Sequence, residues 1–222
     1  MPKVTPEYIE KKKEMIVEAA YNVCLRKPVE TVTISDVIAE TGMSMGAIYR
    51  YYEGLDEILA DMVKKVRVDY GTYDKFVSLA QDTDKTFEEI IFCVCDIMAD
   101  VMEEHLMDIQ KINFDFGVMA INNPERMKKI MSEVKGQGNM ENIALYLLPK
   151  MIEGAEKNGY RMKCSPEEMQ LFMSSSYSGI EKLCILSSCY GTGVPGKEVK
   201  PRPLFNTLAK SIILLFGGNV NE

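Results

Sequence analysis

The chain of 222 residues contains no tryptophan and a single histidine, and it has no long apolar run. A membrane-spanning helix needs roughly 20 consecutive apolar residues, and no segment approaches that length. The first residues, MPKVTPEYIEKKKE, lack the apolar centre of a signal peptide. These absences predict a cytoplasmic protein that does not associate with a membrane.

The sequence also lacks any grouping of metal ligands or nucleophiles. The six cysteines have no compact spacing, and without an export signal we expect them to stay reduced. Cys93 and Cys95 are two positions apart, which on a helix turns their side chains about 200° from one another. His105 offers neither a metal cluster nor a catalytic pair. We therefore predict no enzyme, no catalytic residue, no metal and no cofactor, with redox or thiophilic-metal sensing by a cysteine as an open alternative.

What the sequence does contain is a series of helix starts and apolar stripes. Thr5-Pro6 and Ser165-Pro166 each combine a capping residue with proline at the first helical position. From Phe87 to Met102, apolar residues recur at helical spacing. We find no strand-like alternation and no internal repeat, so the sequence predicts an all-α protein.

Residues 33–59, TISDVIAETGMSMGAIYRYYEGLDEIL, carry the most specific pattern. Thr33 and Asp36 have capping-box spacing at the start of one short helix. Gly42 stands where a tight turn between helices needs a left-handed residue, and Ser44 can cap the next helix. This arrangement predicts a helix-turn-helix, which lays its second helix into the DNA major groove.

Within this segment, ETGMSMGAIYRYYEGLDEIL resembles the signature of the TetR family of bacterial transcription regulators. The resemblance rests on Gly42, Ser44, Gly46, Ile48-Tyr49, Tyr52 and Asp56 to Leu59. It implies a three-helix DNA-binding domain, here residues 1–53. A long helix would join that domain to a larger helical ligand-binding and dimerisation domain, residues 54–222.

The residues predicted to meet DNA lie in and around the second helix of the motif. Met45 and Ala47 stand where the family often has Lys and Thr, and their apolar side chains can contact thymine methyl groups. Arg50 can reach guanine or phosphate, and the resemblance implies that Tyr49 and Tyr51 face phosphates. The full predicted set is Thr33, Ser44, Met45, Gly46, Ala47, Tyr49, Arg50 and Tyr51.

The charge of this region is unusual for a DNA-binding head. The chain has a net charge of −7, and residues 1–52 hold seven basic and seven acidic side chains. The family usually places a lysine before the acidic pair of the fourth helix, where this chain has Leu55. Since phosphate contacts drive binding by releasing counterions, we expect a shallow salt dependence.

The rest of the chain is rich in methionine, with 16 Met against 8 Phe. Methionine-rich linings adapt to varied apolar shapes, and the resemblance implies a pocket for a small, largely apolar effector. The alternative is an ordinary helix-bundle core. The predicted ligand-binding residues are Met98, Met102, Phe114, Met119, Tyr146, Met173 and Tyr177.

The last two predicted helices have apolar stripes wider than one intramolecular contact needs. Two such helices from each subunit would form a four-helix bundle about a two-fold axis, and a dimer matches a palindromic operator. The alternative is that both helices are internal core. The predicted interface consists of Ile180, Leu183, Leu208, Ile212, Leu215 and Phe216.

Together these features predict a homodimeric, ligand-responsive regulator that binds a double-stranded DNA operator, most often a repressor in the family it resembles. The alternative is a helical ligand-binding or interaction protein that does not read DNA. The neutral head, Leu55 and the apolar Met45 and Ala47 favour that alternative.

Overall fold

The computed structural model describes residues 5–69, 72–134, 143–190 and 199–219. Regular structure in these ranges is helical, which confirms the predicted all-α class. The helices are α1 Pro6–Arg26, α2 Ile34–Thr41, α3 Met45–Ile48, α4 Leu55–Asp69, α5 Thr72–Gln81, α6 Phe87–His105, α7 Lys111–Asn122, α8 Pro124–Ser132, α9 Leu148–Lys157, α10 Pro166–Tyr190 and α11 Pro201–Leu215. A 3-10 turn covers Val29–Thr31, and π-helices cover Leu106–Gln110 and Ile143–Leu147. None of the described helices is long and apolar enough to cross a bilayer.

The chain folds into two compact units, each made of two stretches of sequence. The first comprises Met1–Asp69 and Lys111–Gly136, and the second comprises Tyr70–Gln110 and Gln137–Glu222. The sequence predicts a boundary after residue 53, whereas the structure places α4, α7 and α8 with the N-terminal helices. The physical reason lies in the core of the first unit.

That core needs more apolar surface than the first three helices supply. Buried residues of α1, α2, α3 and α4 form one cluster with Ile112, Phe116 and Met119 of α7 and Ile130 of α8. Small domains bury a smaller share of their surface and gain stability by recruiting further apolar faces. Two helices distant in sequence therefore complete the first unit.

The second unit is built around α6 and α11, whose buried faces belong to one cluster with parts of α5, α9 and α10. Phe87 opens α6 and packs edge-on against Tyr160 and Phe216, with ring centroids 5.8 and 5.3 Å apart. The ammonium of Lys150 donates to the carbonyl of Ala80 at 2.6 Å, which ties α9 to the end of α5. Apolar packing and this hydrogen bond both contribute to holding the unit together.

Two helix boundaries differ from the sequence prediction. The sequence predicts one long helix from Gly54 to about Leu79 with a break or bend at Gly71, whereas α4 ends at Asp69 and α5 begins at Thr72; Gly71 itself lies outside the described residues. The sequence also predicts that the last helix begins at Leu204, but it begins at Pro201. Proline fits the first turn of a helix because no intrahelical partner awaits its missing N–H.

Candidate nucleic-acid interface

The start of α2 is held by a complete capping box. The amide of Thr33 donates to the Asp36 carboxylate at 2.8 Å, and the amide of Asp36 donates to the Thr33 hydroxyl at 3.2 Å. A hydrogen bond from Lys27 at 2.7 Å is the main reason why the pKa of Asp36 falls to about 2. The Thr33 hydroxyl itself donates to Asp36 at 2.7 Å. The hydroxyl of Thr33, a residue predicted to meet DNA, is therefore engaged in the helix cap.

The turn between α2 and α3 depends on Gly42. Its φ of 66° lies in the left-handed region, and its amide donates to the carbonyl of Ile38 at 3.0 Å. A Cβ at this position would meet no atom within 4 Å, so glycine is required by the backbone conformation and not by space. The predicted helix-turn-helix turn is confirmed.

Helix α3 is short and begins at a cap, as predicted. The Ser44 hydroxyl accepts from the amide of Ala47 at 3.3 Å, and hydrogen-bonded turns continue the chain to Tyr52. Met45 is 52% exposed, and a Cβ at Gly46 would meet no atom of the chain within 4 Å. Nothing inside the unit requires these two residues, so this first turn is free to meet an external surface.

Behind that exposed turn, α3 is anchored in the core. Ile48 is fully buried, and the buried Tyr52 donates its hydroxyl to Asp61 at 3.0 Å. Burial, followed by the charge of Asp61, raises the pKa of Tyr52 well above its usual range. On the opposite side, Tyr49 is 49% exposed and Arg50 is exposed. Tyr51 is half-buried and packs against the core.

Some of the cations in the first unit are paired with acids. Arg26 pairs with Glu40 at 2.5 Å, and Lys65 pairs with Glu18 at 2.6 Å. Among the described residues, Arg50 forms no ion pair. Its charge is therefore available to a polyanion.

A feature that the sequence did not indicate lies at the start of α4. The guanidinium of Arg126 in α8 donates to Asp56 at 2.8 Å, and Lys129 lies 3.9 Å from the same carboxylate. Asp56 and Lys129 border a cleft of about 640 Å³ with Glu53 and Glu133. Lys129 is 75% exposed, so α8 places a cation beside the α4 terminus that lacks the usual lysine. No local signal predicts this, because the contact joins residues 70 positions apart.

The predicted ligand-binding residues do not form one group. Met98, Met102 and Met173 lie in the core of the second unit, and Tyr177 packs against it. Met119 is fully buried in the core of the first unit, where α7 also carries Phe114. Tyr146 is half-buried in the second π-helix. Met119 and Phe114 therefore belong to the structure of the first unit.

The predicted dimer residues also divide. Ile212 and Phe216 lie inside the core of the second unit, and Ile180 and Leu208 are buried in the same cluster. Their apolar stripe is covered within the chain, which removes Ile212 and Phe216 from any interface. By contrast Leu183 is 48% exposed, and Leu215 is half-buried.

The cysteines are free thiols in the structure, and most are covered. Burial raises the pKa of Cys24 and Cys95 to about 12 and that of Cys184 to about 11. The thiolate is the reactive form, so these three are poor redox sensors. No group of metal-ligating side chains occurs among the residues with described positions.

Comparison with known proteins agrees with the geometry of the head. The sequence model of the bacterial regulatory proteins of the tetR family matches residues 16–62, which run from α1 through the helix-turn-helix into α4. Residues 16–62 therefore form a DNA-binding domain of the TetR type. Over 130 residues it is 30% identical to an uncharacterized HTH-type transcriptional regulator, YfiR, of Bacillus subtilis (strain 168). That match covers 56% of this chain and 59% of the relative, so the chain spans less than two thirds of YfiR's length.

Solved structures share the fold at low sequence identity. GusR of Salmonella enterica superposes with a TM-score of 0.61 at 11% identity, covering 96% of this chain and 98% of that one. The reduced form of NemR of E. coli superposes with a TM-score of 0.62 at 10% identity, covering 94% of this chain and 99% of that one. At such identities the likeness establishes the TetR-family fold alone.

Proposed function

We propose that this protein is a cytoplasmic, homodimeric transcription regulator that binds a palindromic operator and is released from it by a small, largely apolar molecule. The observation that carries the proposal is the head: a capped α2, a left-handed Gly42 and a short α3 whose outer side is exposed. Docked in a major groove, the first turn of such a helix meets base edges. Repression is the usual outcome in this family.

The exposed residues suit a particular readout. Met45 is free to pack on thymine methyl groups, because its side chain is half exposed and has no polar atom that needs a partner. Arg50, unpaired among the described residues, can form two parallel hydrogen bonds with guanine or neutralise a phosphate. Tyr49 and Tyr51 can offer hydroxyls to the DNA backbone.

Few phosphate contacts are expected, since residues 1–52 carry as many acidic as basic side chains. Lys129, standing beside the start of α4, adds one candidate that the sequence did not predict. Each neutralised phosphate steepens the dependence of log K on log salt by about 0.9. We therefore expect a slope near the shallow end for a helix-turn-helix dimer.

A dimer would present two heads to the two halves of an operator. Exposed apolar residues remain on the last two helices, namely Leu183 on α10 and Leu214 on α11. These surfaces, and not the buried Ile212 or Phe216, are the ones we assign to the partner. An effector would then act by binding the conformation that does not bind DNA more tightly.

The deciding experiment is selection and sequencing of DNA fragments retained by the purified protein. An enriched inverted repeat supports operator binding and gives the half-site spacing. With that operator, Arg50→Ala is expected to weaken binding about 10- to 100-fold, the range for losing one guanine contact. The matched control is Lys157→Ala, which removes an exposed cation of the second unit.

The second candidate function is a helical interaction protein whose head does not read DNA. It is favoured by the balanced charge of the head and by Leu55. If a folded dimer enriches no sequence even at low salt, this candidate replaces the first. Unchanged affinity in Arg50→Ala would also count against the proposed docking of α3.

A further inference from the structure

One buried polar group in the second unit lacks half of its hydrogen bonds. Gln110 ends the π-helix Leu106–Gln110 and is only 2% exposed. Its carbonyl oxygen accepts from the hydroxyl of Tyr177 at 2.8 Å. Its amide nitrogen, which carries two N–H donors, has no partner among the residues that the structure describes. Buried amides are normally satisfied, so an unused donor points to a group supplied from outside the chain.

The backbone around Gln110 has an irregularity often associated with binding. A π-helix inserts an extra residue into each turn and occurs mostly where a functional side chain must be placed. Here it lies between α6 and α7, and it packs against α10 within the second unit. The irregular turn places Gln110 against the face of α10 that carries Tyr177.

One turn beyond Tyr177 on α10 stands Glu181. The two are four residues apart and so share a helix face. Glu181 is half-buried, and it forms no ion pair with any residue in the described part of the chain. Burial raises its pKa to about 7, and its charge contributes to the raised pKa of Tyr177. A carboxylate that is largely out of water and has no cation beside it favours a positively charged partner.

The residues around Tyr177 are apolar. Met173, one turn before Tyr177, is buried, and the ring of Phe205 has its centroid 6.1 Å from that of Tyr177. Met102 is fully buried in the same cluster, and Phe172 packs against it. Tyr177, which bonds to Gln110 and lies one turn before Glu181, is therefore packed in a methionine-rich and aromatic environment.

We propose that Gln110, Tyr177 and Glu181 form the polar end of a binding site for an apolar amine that carries a neighbouring oxygen acceptor. The ammonium pairs with the Glu181 carboxylate, the oxygen accepts from the Gln110 amide, and the apolar body lies against Met173 and Phe205. The site rests on the proposed function, because it specifies the chemical class of the effector. Anionic molecules of the same shape are disfavoured, since they would lie beside an unpaired acid.

Isothermal titration calorimetry of the full chain with three probes tests the site. The probes share a ten-carbon tail and are used below micelle-forming concentrations: N-decylethanolamine, decane-1,2-diol and decanoate. We expect the amine to bind at least about tenfold more tightly than the other two, a difference of about 1.4 kcal/mol. Glu181→Gln should abolish that preference while leaving the diol unchanged. A fourth probe, decylamine, lacks the oxygen, and Gln110→Leu should remove the advantage of N-decylethanolamine over it.

The matched control is Glu167→Gln, an exposed glutamate in the first turn of the same helix, which should leave all affinities unchanged. Equal binding of the three head groups overturns the proposal, as does an amine preference that survives in Glu181→Gln. Melting curves of each variant establish that it is folded before titration.

Failure of this site and failure of the regulator function have different signatures. An enriched operator together with an absent amine preference overturns the site and leaves the regulator standing. A Glu181-dependent amine preference without any enriched DNA supports the site and overturns its role as an effector site. Release of the operator by N-decylethanolamine from the wild type, but not from Glu181→Gln, supports both.

Discussion

The two units differ in whether the polar groups inside them have hydrogen-bond or ion-pair partners. In the first, the hydroxyl of Tyr52 donates to Asp61, and the Thr33–Asp36 capping box closes on itself. In the second, the amide nitrogen of Gln110 and the carboxylate of Glu181 find no partner among the described residues. Satisfied groups fix one geometry, as a reading head requires. Unsatisfied groups are stabilised only when something else supplies the missing partner.

The largest expected effect breaks the first unit. Ile48→Ala removes the fully buried anchor of α3 and should cost about 2–4 kcal/mol of stability. Chemical denaturation measures the loss, and operator binding should fall because α3 is no longer held in place. Leu171→Ala, at an apolar residue of α10 that is 70% exposed, is the control.

A pH comparison sharpens the contrast in the second unit. Because the folded pKa of Glu181 is raised to about 7, the native state holds a proton that the unfolded state releases above its own pKa of 4.5. Stability should therefore fall as pH rises through this window. With a discount for remaining exposure, the penalty approaches about 2 kcal/mol at pH 8.

Glu181→Gln should remove that penalty. Its melting temperature should exceed that of the wild type at pH 8 and match it near pH 5, where Glu181 is protonated in the fold. Tyr177, which faces Glu181, stays neutral throughout this range because its pKa is raised. A variant less stable than the wild type at pH 8 would mean that Glu181 has a stabilising partner.

A smaller effect is expected at the turn of the reading head. Gly42→Ala places a Cβ in a left-handed conformation and should cost about 1–2 kcal/mol, although no neighbour clashes with it. Gly42→Asn should cost less, since asparagine tolerates this conformation better. Denaturant midpoints of the two variants test this order. Equal losses would indicate a steric cause.

The smallest expected effect compares two tyrosines directly. Tyr52→Phe removes one of two donors to Asp61, the other being Lys64, and should destabilise the first unit by about 1 kcal/mol. The double variant Gln110→Leu/Tyr177→Phe removes both partners of a buried bond, which should be neutral or slightly stabilising. Thermal melts of the two proteins should shift in opposite directions or by clearly different amounts.

The parts of the structure that local rules govern could be predicted from the sequence. The Thr33–Asp36 cap, the left-handed Gly42 and the buried Tyr52 depend on residues within a few positions of one another. Such features are encoded by the spacing of neighbouring residues, and the same holds for the family signature that contains them.

Features that depend on distant contacts could not be predicted in this way. Apolar periodicity marks Met119 and Ile212 as buried, but it cannot say which core receives them. The bond from Arg126 to Asp56 joins residues 70 positions apart, and a π-helix has no period that distinguishes it from an α-helix. The buried position of Gln110 therefore became visible only in the folded chain.

The first unit is assembled from residues 1–69 and 111–136, so it is not one continuous segment of the chain. A chimaera that exchanges only residues 1–53 for those of another family member would graft foreign helices onto the native Ile112, Phe116 and Met119. A successful exchange must carry α7 and α8 as well. The first unit is therefore transplantable only as two segments, moved together.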